Sequence, residues 1–153
     1  MRYHSAVLIT DNVEKLKGFY TQVMKLAVHL DFGRCLTFEG GLTVWQPKAD
    51  GVAARGGMRA GKNNGLELCF ETEQFEADAA MIMAFGVKLM HGIAQEAWGQ
   101  RTIRFFDPDG NLIELGESIP CFCRRLHSQG LSPEEVSQKT GVFIDIVKTY
   151  ILS

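Results

Sequence analysis

Two stretches of this chain carry the same succession of elements, and a repeat of that kind leaves few folds open. The first opens with a β-branched, apolar run at residues 4–10, which reads as a strand. Asp11 and Glu14 have the spacing of a capping box, so a helix is expected to open near Asn12. Val13, Leu16, Tyr20, Val23 and Ala27 then recur at steps of three and four, which is one buried helical face. Short strands follow at residues 28–32, 35–38 and 42–46, with Gly40 and Gly41 supplying the positive φ of a tight two-residue turn. The second stretch repeats the order. A strand at residues 65–72 precedes a helix face of Phe75, Ala79, Ile82 and Phe85, and strands follow at 87–90, 101–106 and 111–115. Val28-His29-Leu30 and Val87-Lys88-Leu89 hold equivalent places 59 positions apart. Asp107-Pro108-Asp109-Gly110 has the residues of the last hairpin turn. The fold class expected is α+β, built from two pseudo-symmetric modules rather than a doubly wound parallel sheet.

The modules occupy residues 1–47 and 63–119, with a linker at 48–62. That linker is rich in Gly, and Lys48, Arg55, Arg59 and Lys62 outnumber Asp50. It reads either as a solvated connection or as a basic lid over an anionic ligand. Residues 120–153 break the pattern and form a helical extension. One helix spans 121–129, Ser132-Pro133-Glu134-Glu135 starts a second, and Gly141 separates it from a third at 142–152. The last two resemble half of a helix-turn-helix. Arg124, Arg125, Lys139 and Lys148 stand against Glu134, Glu135 and Asp145, a net of +1, and the last helix offers only Lys148. Packing against the modules or a second subunit is expected there, and nucleic acid is not.

Composition narrows the function classes. The 153 residues are 46% hydrophobic and 22% charged, the usage of a globular domain. A formal charge of −2 gives no reason to expect a polyanionic partner, and no apolar run reaches membrane-spanning length. Four irregularly spaced cysteines (Cys35, Cys69, Cys121, Cys123) fit free thiols and a cytoplasmic setting.

Three features together, Phe19-Tyr20 late in the first helix, the Glu39-Gly40-Gly41 turn and FFDPDGNLIELGE at 105–117, resemble the vicinal oxygen chelate superfamily. That superfamily includes glyoxalase I, bleomycin-resistance proteins, fosfomycin-resistance enzymes and extradiol dioxygenases. The likeness covers residues 3–117. It implies paired βαβββ modules in an open, barrel-like sheet facing a small-molecule ligand, often with a divalent metal ion, and commonly a homodimer.

The resemblance also implies metal ligands from the first, fourth, fifth and eighth strands. Glu114 matches the last, and Glu67 falls where the family's fifth-strand His stands. Thr43 falls at the fourth-strand carboxylate, and Thr is a poor ligand; Gln46 follows three residues later. The first-strand position is His4 counted from Asp11, or Ser5 counted from Phe19-Tyr20, and the helix register favours Ser5. Two carboxylates without His make a weak zinc or iron site but suit Mg or Mn. The cofactor is therefore unknown, a divalent metal being the candidate.

Trp98-Gly99-Gln100-Arg101 and Arg104 lie close to where related proteins contact substrate. Trp98 suits stacking on a flat ligand, and Arg101 or Arg104 suits a carboxylate or phosphonate, though alternation lets only one of them face the cleft. Trp45 is expected on a cavity wall or a dimer interface. Three functions remain open at this point. The first is a glyoxalase-like lyase with Glu114 and Glu67 as ligands or acid/base groups. The second is a metal-free protein that binds a small molecule or drug. The third, a ligand-controlled DNA binder, rests on the tail alone.

Overall fold

The short apolar run that opens the chain forms β1 (Ala6–Ile9), the first strand of a computed structural model that describes residues 4–49 and 66–152. Helix α1 (Val13–Gln22) follows, then β2 (Val28–Asp31), β3 (Cys35–Phe38) and β4 (Leu42–Trp45). The second module gives β5 (Glu67–Thr72), α2 (Phe75–Ala84), β6 (Lys88–Gln95), β7 (Arg101–Phe106) and β8 (Leu112–Glu117). Sheet orders are β1-β4-β3-β2 and β5-β8-β7-β6, so the modules share one topology. In each, the first and last strands pair in parallel and the other neighbours are antiparallel. The fold is α+β with two four-stranded sheets, and among the described residues no strand of one pairs with a strand of the other, so there is no closed barrel.

Some local expectations shift. Asn12, not Asp11, caps α1: its Oδ1 accepts the Lys15 N–H at 3.0 Å, while the Thr10 hydroxyl accepts the Asn12 N–H at 3.0 Å and turns the chain one residue later. Gln46 also serves this helix start, accepting the Val13 N–H at 3.2 Å. Strand β6 runs five residues beyond its expected end, because two register shifts against β7 absorb Gly92. The expected 48–62 lid lies, from residue 50 on, outside the described residues.

One apolar cluster joins the modules. Leu16, Phe19, Tyr20 and Val23 of the first meet a core that also holds Phe75, Ile82, Ile103, Phe105 and Leu115 of the second. A polar tie fixes the junction. The Tyr20 hydroxyl donates to Asp107 Oδ2 at 3.0 Å, and Thr10 donates to Asp109 at 2.6 Å. Asp107 also accepts from the backbone of Asp109 and Asn111 and from the Asn111 amide, so the Asp-Pro-Asp-Gly turn is prebuilt for docking on α1. Burial first, and then the Asp107 carboxylate, push the Tyr20 hydroxyl pKa far above its ordinary value. Tyr20→Phe leaves the buried Asp107 without one donor. It should lower stability by about 1.5–3 kcal/mol in urea titrations, the scale for hydrogen bonds to charged groups.

Three helices complete the chain: α3 (Ile119–Ser128), α4 (Pro133–Thr140) and α5 (Ile144–Leu152). They bury their own cluster of Phe122, Cys123, Leu126, Val136 and Val147. Ser132 and Glu135 form the expected capping box, and Gly141 ends α4 at φ +75°.

Candidate functional site

Alternation along β7 sorts its arginines. Ile103 and Phe105 point into the core, so Arg101 shares their side, while Thr102, Arg104 and Phe106 take the opposite face. The pairings Arg104↔Glu114 and Cys69↔Glu114 put Arg104, Glu114, Cys69 and, two residues along β5, Glu67 on that open face. Arg104 is the centre of this group. Its Nε donates to Glu67 Oε1 at 2.7 Å, its Nη1 to Glu96 Oε1 at 2.6 Å, and its Nη2 to Glu114 Oε2. Nη1 also lies 3.2 Å from His91 Nε2, and Thr102 donates to Glu96 at 3.1 Å. Three carboxylates thus surround one guanidinium.

The neighbours set the proton affinities. Burial works against the charged Arg104, but hydrogen bonds to Glu96 and Glu67 and the charge of Glu114 more than offset it and raise its pKa further. The Arg104 hydrogen bond holds the Glu96 carboxyl below its ordinary range. Glu114 goes the other way: burial pushes it up against the pull of Arg104, with Glu67 and Glu96 adding like charge. Burial, then Glu114 and Glu67, also push the Cys69 thiol up, which disfavours a reactive thiolate.

The other candidates lie elsewhere. Arg101 is bound on the core side by Glu117 and Glu76 and sits 5.3 Å from the Phe75 ring centroid. Trp98 is partly exposed, and its indole N–H donates to Gln100 Oε1 at 3.0 Å; the Gln100 amide donates in turn to the Glu117 carbonyl at 2.7 Å. Thr43 and Trp45 stand on the other sheet, paired with Val7 and Ile9 of β1. Leu8 is buried, so continued alternation sets Ser5 on the open side with Val7 and His4 with Leu8. His4 Nδ1 and Ser5 Oγ are 3.2 Å apart, and Thr43 is hydrogen-bonded to Thr37 at 3.0 Å. The structure therefore brings Glu67, Glu114 and Arg104 together and leaves Ser5, His4 and Trp45 on a separate sheet.

This paired topology has relatives. A glyoxalase-like domain model matches residues 3–120 of the sequence. The chain belongs to the glyoxalase-like domain family. Among solved structures, a protein of unknown function from Agrobacterium tumefaciens is 31% identical, covering 78% of this chain and 95% of its own, with a TM-score of 0.70. A lactoylglutathione lyase from the same organism is 22% identical over 76% of this chain and 93% of its own, at a TM-score of 0.60. A glyoxalase/bleomycin resistance protein/dioxygenase superfamily member from Sphaerobacter thermophilus is 23% identical over 77% and 98%, at 0.58. The latter two likenesses speak to the fold alone. No curated protein matches the sequence.

The glyoxalase-like fold implies a divalent metal, and the donors here do not fit one. The space between Glu67 and Glu114 holds the Arg104 guanidinium, a positive charge that already binds one oxygen of each carboxylate and stands where a cation would. Thr43, at the fourth-strand position, is committed to Thr37. Among the described residues no group of three or more His, Cys, Asp and Glu is arranged to hold a metal ion.

Two further residues escape a reading of the sequence. Glu96 reaches Arg104 from the end of a turn, where the Gly99 N–H donates to the Glu96 carbonyl at 2.8 Å; no periodic pattern marks such a residue. Arg125 of α3 holds the same turn, donating to the Gly99 carbonyl at 2.6 Å and to Glu117 at 2.7 Å. The helical extension thus braces the loop that carries Glu96 and Trp98. No helix among the described residues is long and apolar enough to cross a membrane.

Proposed function

We propose that this glyoxalase-like chain binds a small organic cation on the acidic face of its second sheet, without a metal. The observation that carries this reading is Arg104 held among Glu67, Glu96 and Glu114. All three of its nitrogens are engaged with protein carboxylates, so it has little left to offer an anionic substrate or an oxyanion. The surplus of carboxylates favours a positive ligand, and Trp98, two residues beyond Glu96 on the same turn, is the aromatic side chain that would meet an aromatic cation.

The proposed assembly is a homodimer. Val7, Leu30, Met90 and Ile93 are each at least 45% exposed on the two sheets, apolar surface that a second copy would cover. Light scattering should then give twice the 17.0 kDa chain mass.

Binding is tested by calorimetric titration with a naphthyl amidine and the matching neutral naphthamide, with and without chelator. The amidine should bind more tightly, and chelator should change nothing. Glu96→Gln, which removes one charge and leaves Arg104 its other two carboxylates, should weaken amidine binding about tenfold, or ~1.4 kcal/mol. Equal affinity for amide and amidine would reject the cation reading. Amidine binding, or turnover of any substrate, that needs a stoichiometric divalent metal would reject metal independence.

A further inference from the structure

We infer that a groove between α1 and the adjoining part of the second module is a separate binding site for a small amphipathic anion, an aryl or alkyl carboxylate or sulfonate. Phe19 of α1, Val23 at its C-cap, Phe85 and Val87 of the α2–β6 connection, and Phe106 at the end of β7 wall a cavity of about 530 Å³. That is the size of a small-molecule pocket, and its walls are chiefly aromatic and aliphatic.

The Lys88 ammonium lies on those walls, and that of Lys25, which lines the neighbouring cavity, stands over one of their rings. Lys88 Nζ sits 5.3 Å from the Phe106 ring centroid, and Lys25 Nζ sits 5.7 Å from that of Phe85. Neither lies within ion-pairing distance of a carboxylate among the described residues, whereas Lys15, Lys17 and Lys148 each do. Asp107 on the groove wall and its neighbour Asp109 are already engaged, while Glu71 and Asp78 line the neighbouring cavity that Lys25 borders. Asp107 accepts from Tyr20, Asn111 and Asp109, and Asp109 holds Thr10 and Lys15. The groove is therefore apolar inside with unneutralised positive charge at its rim, which complements an anion carrying an apolar body.

Lys25 supplies an independent sign. It has φ +57°, in the left-handed region, and among the described residues it is the only non-glycine there. It lies two residues past Val23, the C-cap of α1, where the Leu26 N–H donates to the Tyr20 carbonyl at 2.9 Å, and glycine would take its φ without strain. The chain holds lysine instead, and the lysine brings its ammonium over Phe85. Strain retained beside a cavity points to a task for the side chain.

The experiment titrates the full chain with 1-anilinonaphthalene-8-sulfonate and with N-phenyl-1-naphthylamine, which has the same aromatic body and no sulfonate. The sulfonate should bind one per chain and about tenfold more tightly than the neutral dye. Lys88→Met and Lys25→Gly together should remove most of that advantage and leave the neutral dye unchanged, and Lys88→Arg should retain it. Lys25→Gly alone should raise the thermal midpoint while weakening sulfonate binding, a split that a purely structural lysine would not produce. Equal affinity for the two dyes, or sulfonate binding unmoved in the double variant, would overturn the proposal. So would sulfonate binding that falls as rising protein concentration drives dimer formation, because the groove would then belong to a second copy.

Discussion

Replacing Glu117 by Gln should cost about 3–5 kcal/mol of stability, the range for removing one partner of a buried ion pair. The Glu117 side chain is 3% exposed. Its carboxylate accepts the Arg101 backbone N–H at 2.9 Å, the Arg101 guanidinium at 2.6 and 3.0 Å, and the Arg125 guanidinium at 2.7 and 2.8 Å. Burial alone would raise its pKa, but the hydrogen bonds from Arg125 and Arg101 win and hold it at about 2. Gln keeps the shape and loses the charge, leaving two guanidinium groups facing a neutral amide.

Because the folded pKa lies below the ordinary 4.5, the stability Glu117 supplies is complete above that pH and is lost as pH falls toward about 2. Urea titrations should show the native chain weakening across that window and the variant changing less there. Glu117 also joins β8 to α3, so amide exchange in residues 119–152 should rise more than in the sheets. A loss below about 1 kcal/mol would mean that the two arginines find other partners, Glu76 for Arg101 being the one at hand.

What could be read from the sequence was what local physics decides. Strands β3 and β7 stand at the residues expected of them, and α1 and α4 begin at side chains that cap them. The errors lie where two residues offer the same local chemistry. Asp11 and Asn12 can both cap, and the choice fell to Thr10, whose hydroxyl also reaches Asp109 in the other module. The site was less accessible for the same reason. Alternation required Arg101 and Arg104 to point apart, but only the register of β7 against β8 decides which one meets Glu114. Glu96 and Arg125 act across a turn and between modules and helices, and no spacing encodes that. Glu67 and Glu114 were visible as a pair of carboxylates; the cation between them was visible only as one of two arginines.

Removing that cation is the sharpest test of how the acidic face is built. Arg104→Ala should destabilise the chain at neutral pH by about 3–5 kcal/mol, since Glu67, Glu96 and Glu114 lose their common partner while still partly buried. With the guanidinium gone, the mutual repulsion of the three carboxylates favours taking up protons, so the sign is opposite to that for Glu117. The lost stability should return as pH falls and protons replace the guanidinium. The three carboxylates and the His91 ring beside them are left free to draw together around a hard or borderline divalent ion, a grouping they do not make in the native chain. Manganese or calcium at about a hundred times its dissociation constant should then restore about 2.7 kcal/mol to the variant. The native chain should show no such gain, because its guanidinium already fills that space with positive charge. If the ions stabilised both proteins equally, they would be binding away from this cluster, and Arg104 would not be standing where a metal could. If neither pH nor metal rescued the variant, the carboxylates would have turned apart into solvent, and the cluster would owe its shape to Arg104 rather than to the strands that carry it.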